Sequence, residues 1–286
     1  MSKGRRLFTF LSCCVVLISI IGGLYYITSP NLKKIPSLSD EEHFIAHATG
    51  SLDGYTYLNS KESLLNSLDN GYKYIEFDLA YTSDSIIVCV HNWEQFNKAT
   101  IPNICGKDSN LFMRVPTYSE FKTRLIYGKF TPLSLQDVIS IQKQRPFIIV
   151  TDIICDAEAL NSYFEKNIRK NVMVEAFSEE AYHSLKESGY IPMLSLGCIS
   201  LLNGEFSFIC SSLINNKYEW ITAEQHSSKR TLRLLRKMFG LKIALYTVNS
   251  ASFFNWHLGN NDVDLIYTDN WNLKKQLNNY QDNSTR

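Results

Sequence analysis

Short apolar runs rich in isoleucine, valine and tyrosine recur along most of the chain, with longer amphipathic or polar stretches between them. Runs of this length and composition are typical of buried strands. Nine strands are predicted: Phe44–His47, Tyr74–Leu79, Ile86–His91, Phe147–Ile153, Val172–Phe177, Ile191–Leu196, Trp220–Glu224, Lys242–Asn249 and Asp264–Asp269. Helices are predicted over Ser60–Asn70, Ser134–Gln144, Ala157–Asn167, Ser178–Ser188 and Lys229–Phe239. This alternation indicates a parallel sheet covered by helices, an α/β fold.

One pair of runs breaks the alternation. Only a short polar segment around Thr82–Ser85 separates Tyr74–Leu79 from Ile86–His91, which is too short for a helix. The two runs are therefore predicted to form an antiparallel hairpin. Setting aside its return arm leaves eight parallel strands over about 240 residues, which fits a TIM (β/α)8 barrel with a β-hairpin after the second strand.

The N-terminus has a different pattern. Lys3, Arg5 and Arg6 precede the uncharged residues 7–27, a stretch of 21 residues that is long enough to cross a bilayer as a helix. A cleaved signal peptide is the alternative, but the stretch is longer than a usual signal core and no A-x-A-like site follows it. We therefore expect an uncleaved signal anchor, with the following domain on the extracytoplasmic side of the cell membrane.

The predicted domain organisation follows from these patterns. A cytoplasmic basic start and transmembrane signal anchor occupies residues 1–28, a linker 29–42, the barrel 43–277 and a polar tail 278–286. The formal net charge is only +1, which does not indicate the basic face or stripe expected of a nucleic-acid-binding protein, so no nucleic-acid partner is expected. The charge balance neither favours nor excludes a small anionic substrate.

Two carboxylates provide the first sign of chemistry. Glu76 and Asp78 lie two apart on a predicted strand, so their side chains share one face. Carboxylates forced together in an apolar strand are costly unless a cation lies between them, and a hard divalent cation prefers such oxygen ligands. Asp152, late in its own strand, is the candidate third ligand. Salt bridges on a solvated sheet face are the alternative for this pair.

The hairpin brings a histidine towards these carboxylates. A two-residue turn would place His91 opposite Glu76, and a four-residue loop would place it opposite Asp78. Either register puts the imidazole on the carboxylate face, whereas a three-residue loop would not. With His47 on the neighbouring strand, the pair would act as acid and base beside a cation, as phosphoryl transfer requires.

Other polar or aromatic residues near strand ends would face the catalytic mouth of a barrel. Glu175, Asn249 and Asp269 lie late in predicted strands, and Trp93 follows His91 by two residues. Glu175, Asn249 and Trp93 are candidates for substrate binding, although core packing would explain Trp93 equally well.

A series of short motifs follows the same order as in a known family. They read His47-Ala48-Thr49-Gly50, Leu58-Asn59-Ser60, Glu76-Phe77-Asp78, Thr82-Ser83-Asp84-Ser85, His91-Asn92, Asp152-Ile153-Ile154, Tyr246-Thr247-Val248-Asn249 and Thr268-Asp269. In this order and spacing the chain resembles the glycerophosphodiester phosphodiesterase family, which shares its barrel with phosphatidylinositol-specific phospholipase C.

The resemblance implies roles for individual residues. Glu76, Asp78 and Asp152 would hold a divalent metal, Ca²⁺ or Mg²⁺, and His47 and His91 would be the catalytic acid and base. The resemblance also implies that Asn59 helps to bind metal or phosphate.

Two departures from the family pattern remove positive charge. Ala48 stands where the family has Arg, and Ile154 where it has Lys, while Ser85 replaces a turn Gly. Cations at such positions stabilise the phosphoryl transition state. Either another basic residue substitutes, or the substrate is unusual, or activity is low. The candidates for a substitute are Arg114, Lys122, Arg124 and Lys129.

The leading hypothesis is a metal-dependent phosphodiester hydrolase. Its substrate would be a glycerophosphodiester, or a glycerol-phosphate group on a lipid or a surface polysaccharide. The alternative is a catalytically degenerate, membrane-tethered barrel that serves as a binding or scaffold protein. A glycosidase using Glu76 is disfavoured, because the E-x-D spacing suits a metal better than two carboxylates flanking a sugar.

Overall fold

In a computed structural model, eight parallel strands close into a barrel, because the first strand pairs with both the last and the second. The structure describes residues 15–26, 29, 43–101, 110–197, 217–250 and 262–269. The strands are β1 (Phe44–Ala46), β2 (Tyr74–Tyr81), β3 (Ile87–Cys89), β4 (Ile148–Asp152), β5 (Val172–Ala176), β6 (Ile191–Ser195), β7 (Trp220–Glu224), β8 (Lys242–Tyr246) and β9 (Leu265–Thr268). All except β3 belong to the barrel, which confirms the predicted fold.

Helices cover the outside of the barrel and fill one long connection. They are α1 (Lys61–Asp69), α2 (Trp93–Thr100), α3 (Asn110–Met113), α4 (Tyr118–Thr123), α5 (Leu135–Gln144), α6 (Ala157–Asn161), α7 (Glu179–Glu187) and α8 (Lys229–Phe239). Serine, threonine, asparagine or aspartate side chains cap seven of their N-termini, which explains why the starts could be read from the sequence. The predicted helix Ala157–Asn167 is wrong at its end, because tighter turns onto the carbonyls of Ala159 and Leu160 follow Asn161.

Strand alternation divides the core into two parts. Ile45, Val150, Met173 and their neighbours pack together inside the barrel, whereas the alternate positions, such as Ile149 and Val174, pack towards the helices. Because side chains on a strand alternate between faces, every second residue after an interior position also points inward. Because of this alternation, polar residues at the carboxyl ends of the strands also point into the barrel.

The hairpin differs from the prediction in its loop. Thr82 pairs with Ile86, so the loop has three residues, Ser83, Asp84 and Ser85, and both predicted registers are wrong. Ser85 adopts a φ of 63°, the left-handed conformation that a three-residue loop requires of its last residue. The ladder then pairs Asp78 with Val90, whose N–H donates to the Asp78 carbonyl at 2.7 Å.

His91 nevertheless reaches the carboxylate face. It lies beyond the end of β3, where the chain turns into α2, so strand alternation no longer sets the direction of its side chain. His91 therefore lies beside the carboxylates as predicted, although the predicted hairpin registers were wrong.

The N-terminal prediction is tested only in part. Residues 15–26 are helical and exposed, while the remainder of the predicted anchor, 1–14 and 27–28, lies outside the described residues. Among the residues that the structure describes, none of the helices has the length and apolar character needed to cross a membrane. Nearly all of the predicted linker, and the whole of the tail 278–286, also lie outside the described residues.

Candidate active site

Three carboxylates meet at the carboxyl end of neighbouring strands. Asp78 on β2 is directly beside Asp152 on β4, and Glu76 precedes Asp78 on the same inward face. One oxygen of each residue lies within 4.8 Å of the others. The structure thus brings together the three residues predicted to hold a metal.

The electrostatics of this cluster favour a cation. Burial, followed by repulsion from the neighbouring carboxylates, raises the pKa of Glu76 and of Asp152 well above the ordinary values. Oδ1 of Asp152 is buried and has no hydrogen-bond partner. Buried oxygens that repel one another, one of them unpartnered, form a donor set that fits a hard divalent cation.

The surrounding chain fixes these carboxylates. The N–H of Ala48 donates to Oε2 of Glu76 at 2.5 Å. The Asn59 amide nitrogen donates to Oδ2 of Asp78 at 2.7 Å, and its oxygen accepts the Asp78 N–H at 3.2 Å. Asn59, predicted to bind metal or phosphate, thus has its amide engaged in orienting Asp78.

His91 makes the remaining contact to Asp78. Its Nδ1 lies 2.8 Å from Oδ1 of that carboxylate, so both Asp78 oxygens are engaged. The hydrogen bond raises the pKa of His91, and partial burial opposes the rise. Because a carboxylate accepts from Nδ1, Nε2 is the ring nitrogen left to exchange protons with a substrate.

His47 is oriented by a residue to which the sequence assigned no role. It follows β1 in a short 3-10 turn, and its Nδ1 lies 2.6 Å from Oδ1 of Asp269. Asn249 holds Asp269 in turn: its amide nitrogen donates to Oδ2 at 2.7 Å, and its oxygen accepts the Asp269 N–H at 2.9 Å. Asn249, predicted to bind substrate, thus has its side chain engaged with Asp269 behind His47.

Tyr57 separates the two imidazoles. Its ring makes edge-on contacts with His47 and His91, at centroid distances of 4.7 and 5.1 Å. Burial and the carboxylates of Asp269, Asp78, Glu76 and Asp152 raise the pKa of Tyr57 to about 12, so its hydroxyl keeps its proton at neutral pH. Tyr57 was not among the predicted site residues, and it has a φ of 54° in an irregular loop, where hydrophobic periodicity does not indicate the direction of a side chain.

We call the space between these groups the carboxylate cavity. It measures about 260 Å³ and is lined by His47, Tyr57, Glu76, Asp78, His91, Asp152, Glu175, Phe177, Tyr246, Thr247 and Tyr267. Glu175 accepts a hydrogen bond from the Thr222 hydroxyl at 2.6 Å, and burial raises its pKa. Trp93, also predicted to bind substrate, lies elsewhere and packs against Phe96 and Phe121.

The described lining of the carboxylate cavity includes neither lysine nor arginine. The four predicted substitutes are engaged elsewhere: Arg114 with Glu120, Lys122 with Asp137, Arg124 with Asn97 and Lys129 with Asp53. Ile154 is buried with the outer core, and Ala48 carries no charge. The prediction that one of these four residues substitutes for the missing cations is therefore wrong.

Part of the chain matches a known protein family. Residues 52–191 match the model of the glycerophosphoryl diester phosphodiesterase family. No curated protein matches the chain.

Solved structures share the fold at low sequence identity. A protein from Galdieria sulphuraria is 18% identical, with 87% of this chain and 99% of that chain covered and a TM-score of 0.65. A glycerophosphodiester phosphodiesterase from Thermotoga maritima is 19% identical, with 82% and 97% covered and a TM-score of 0.60. A phosphodiesterase from Oleispira antarctica, solved with the product sn-glycerol-3-phosphate, is 16% identical, with 87% and 97% covered and a TM-score of 0.61.

Proposed function

Because residues 52–191 place the chain in the glycerophosphodiester phosphodiesterase family, we propose that it is a metal-dependent phosphodiester hydrolase. One observation carries the proposal: three carboxylates converge within 4.8 Å between two histidines, each of which has Nδ1 on a carboxylate. A structural salt-bridge cluster would place lysine or arginine side chains among these carboxylates, and the described lining has neither.

Glu76, Asp78 and Asp152 would hold the cation, Ca²⁺ or Mg²⁺, through oxygen ligands. When bound, it offsets negative charge on the phosphoryl oxygens. The identity of the ion is part of the proposal, since both prefer carboxylate ligands.

The two histidines would move the protons. Nε2 of one imidazole takes the proton of the attacking hydroxyl as that oxygen bonds to phosphorus. Nε2 of the other gives its proton to the alkoxide as the second phosphorus–oxygen bond breaks, so charge balances over the step. Asp269 and Asp78 orient the two rings and stabilise whichever is protonated.

The proposed substrates are glycerophosphodiesters or related glycerol-phosphate groups of lipids or surface polysaccharides. The family match and the mixed polar and aromatic lining of the carboxylate cavity support this class.

We further propose that the chain acts at the cell membrane, with the barrel on the extracytoplasmic side. The basic residues before the uncharged stretch 7–27 support this location, and membrane fractionation of the full chain tests it.

A second candidate is a binding or scaffold role on a catalytically degenerate barrel. The specific observation in its favour is the absence of lysine and arginine from the described lining, which leaves the phosphate charge to the metal and the histidines.

An assay of the full chain in detergent separates the two candidates. Bis(p-nitrophenyl) phosphate and glycerophosphodiesters are offered with Ca²⁺ or Mg²⁺ and with EDTA. We expect turnover that EDTA abolishes, and a fall of about 10²–10⁴-fold in His47→Ala, the range that one acid–base group contributes. Asp152→Asn should lose metal-dependent turnover as well.

Asp156→Asn is the matched control. Asp156 is exposed and caps α6, and asparagine caps equally well, so this variant should keep wild-type activity. Calorimetric binding of the divalent ion without turnover would favour the binding role. Folded protein that shows neither turnover nor divalent binding would contradict the proposed enzyme.

A further inference from the structure

A second cavity adjoins the carboxylate cavity and shares its wall. It measures about 330 Å³, and Tyr57 and His91 line both spaces. On its far side lie α2 and the loop around Ile126 and Tyr127. We call it the amide cavity, after the asparagine and glutamine side chains in its lining. Any group that extends from a phosphate past His91 would enter it.

Apart from His91, the lining of the amide cavity consists of polar and apolar side chains without charge. Its apolar wall includes Leu58, Val90 and Phe96, and its amides include Asn92 and Gln95. Aspartate, glutamate, lysine and arginine are all missing from the described lining. Amides both donate and accept hydrogen bonds, which matches the hydroxyl groups of a polyol. A charged head group would lose water here without gaining a counterion, which is costly.

The amide cavity is also held in shape by its own contacts. Oδ1 of Asn92 accepts the Gln95 N–H at 2.8 Å, which fixes the Asn92 side chain at the start of α2. The Tyr127 N–H donates to the Ala99 carbonyl at 2.7 Å, and its ring stacks on Tyr55 at 4.4 Å. These contacts tie the loop to the helix, so a ligand would find the walls already in place.

The position of His91 links the amide cavity to the reaction. His91 lines both cavities, and its side chain is 40% exposed, whereas His47 lines only the carboxylate cavity. A phosphate held at the carboxylates would therefore have one of its two alcohols next to His91. The alcohol next to His91 could extend into the amide cavity, because His91 lines both cavities.

We propose that the amide cavity binds the alcohol of the diester that faces His91, and that this alcohol is an uncharged polyol. The inference rests on the proposed phosphodiesterase function and narrows its substrates. It favours diesters of glycerol, inositol or a sugar over those of choline or ethanolamine. Gln95 and Asn92 would be specificity-determining residues, since they contact the alcohol and not the phosphate.

The test compares diesters that share the glycerophosphate half. Glycerophosphoinositol supplies the neutral polyol, glycerophosphocholine the cation, and the methyl ester of glycerophosphate leaves the amide cavity empty. For the full chain with divalent metal, we expect kcat/KM for the inositol diester to exceed that for the methyl diester by about tenfold or more. That factor corresponds to one or two net hydrogen bonds. The choline diester should show no such advantage.

Variants in the amide cavity sharpen the comparison. Gln95→Ala should lower the inositol-to-methyl ratio of kcat/KM by about tenfold, mainly through KM. Ala99→Leu, which narrows the space beside α2, should lower the same ratio. Gln136→Ala is the matched control, because Gln136 is an exposed glutamine in the first turn of α5 and should leave every rate unchanged.

The possible failures can be told apart. If the methyl diester turns over but inositol gives no advantage over methyl or choline, the polyol inference is wrong and the proposed function stands. An equal loss on both diesters in Gln95→Ala would also overturn it. If none of the diesters turns over, the proposed function fails and this inference fails with it.

Discussion

At the residue scale, Asp269 is the least expected member of the site and the most direct to test. Its carboxylate orients His47 and would stabilise the protonated ring. Asp269→Asn keeps the shape but removes the charge, so we predict a fall in kcat of about 10²-fold or more with little change in KM. Steady-state kinetics on a glycerophosphodiester measure both constants.

Two comparisons complete the Asp269 experiment. Asn249→Ala, which loosens Asp269 without removing it, should cause a smaller loss of kcat. With bis(p-nitrophenyl) phosphate, whose leaving group needs no proton, the loss should shrink if His47 is the acid and persist if it is the base. Unchanged kcat in Asp269→Asn on every substrate would show that this contact is not part of catalysis.

The same residues show what the sequence could and could not predict about the site. Glu76 and Asp78 could be placed together because strand alternation is a local rule, and Asp152 followed from the barrel order. The contact between Asp269 and His47 depends on β1 meeting β9, which only barrel closure brings about. Tyr57 depends on a positive φ in a loop, for which hydrophobic periodicity carries no information.

At the element scale, α5 depends on the capping box between Ser134 and Asp137. Burial acts to raise the pKa of Asp137, but hydrogen bonds from Lys122 and Ser134 outweigh it and hold the pKa below its ordinary value. We predict that Asp137→Asn lowers the free energy of unfolding by about 1 kcal/mol at pH 7, allowing for screening of a partly exposed carboxylate. Urea denaturation measures the change.

The pH dependence gives the sign of this effect. Because the folded pKa is depressed, the Asp137 carboxylate stabilises the fold above its unfolded pKa of about 3.9 and loses that contribution as the pH falls through the folded value. The difference in free energy of unfolding between wild type and Asp137→Asn should therefore disappear below about pH 4. Asp69→Asn, which alters an exposed pair with Arg145, is the control and should change stability little. If the difference in free energy of unfolding between wild type and Asp137→Asn did not change with pH, the Asp137 carboxylate would not have this stabilising role.

Elements with strong periodicity were predicted well, and irregular ones were not. The eight barrel strands and the caps of five helices have local signals in the sequence. Helices α2, α3 and α4 were missed, because they are short and lie in the long connection after the hairpin. The hairpin register was missed because Ser85 takes a conformation usually left to glycine. The missed segment forms much of the amide cavity, so specificity was harder to predict than fold.

At the scale of the whole molecule, the barrel concentrates negative charge at one end. Glu76, Asp78, Asp152 and Glu175 share the carboxylate cavity, and Asp269 lies behind His47. The described lining offers no lysine or arginine to balance them, so without a divalent cation their repulsion opposes folding. Function and stability therefore conflict at this end of the barrel.

This conflict predicts an unusual stability profile for Asp152→Asn. In EDTA, removal of one repelling carboxylate should raise Tm above that of the wild type, by about 2–4 °C for each kcal/mol relieved. A divalent ion at 1,000 times its Kd should then stabilise the wild type by up to about 4 kcal/mol and so raise its Tm. The same ion should raise the Tm of the variant far less.

The pH dependence in EDTA has the opposite sign to that of Asp137. Burial and repulsion raise the folded pKa values of Glu76 and Asp152, so metal-free wild type should lose stability as the pH rises from the unfolded values near 4 towards the folded ones. Asp152→Asn should show a flatter profile by differential scanning calorimetry. If the variant were less stable than wild type in EDTA and gained as much from the divalent ion, Asp152 would not be part of a repelling, metal-binding cluster.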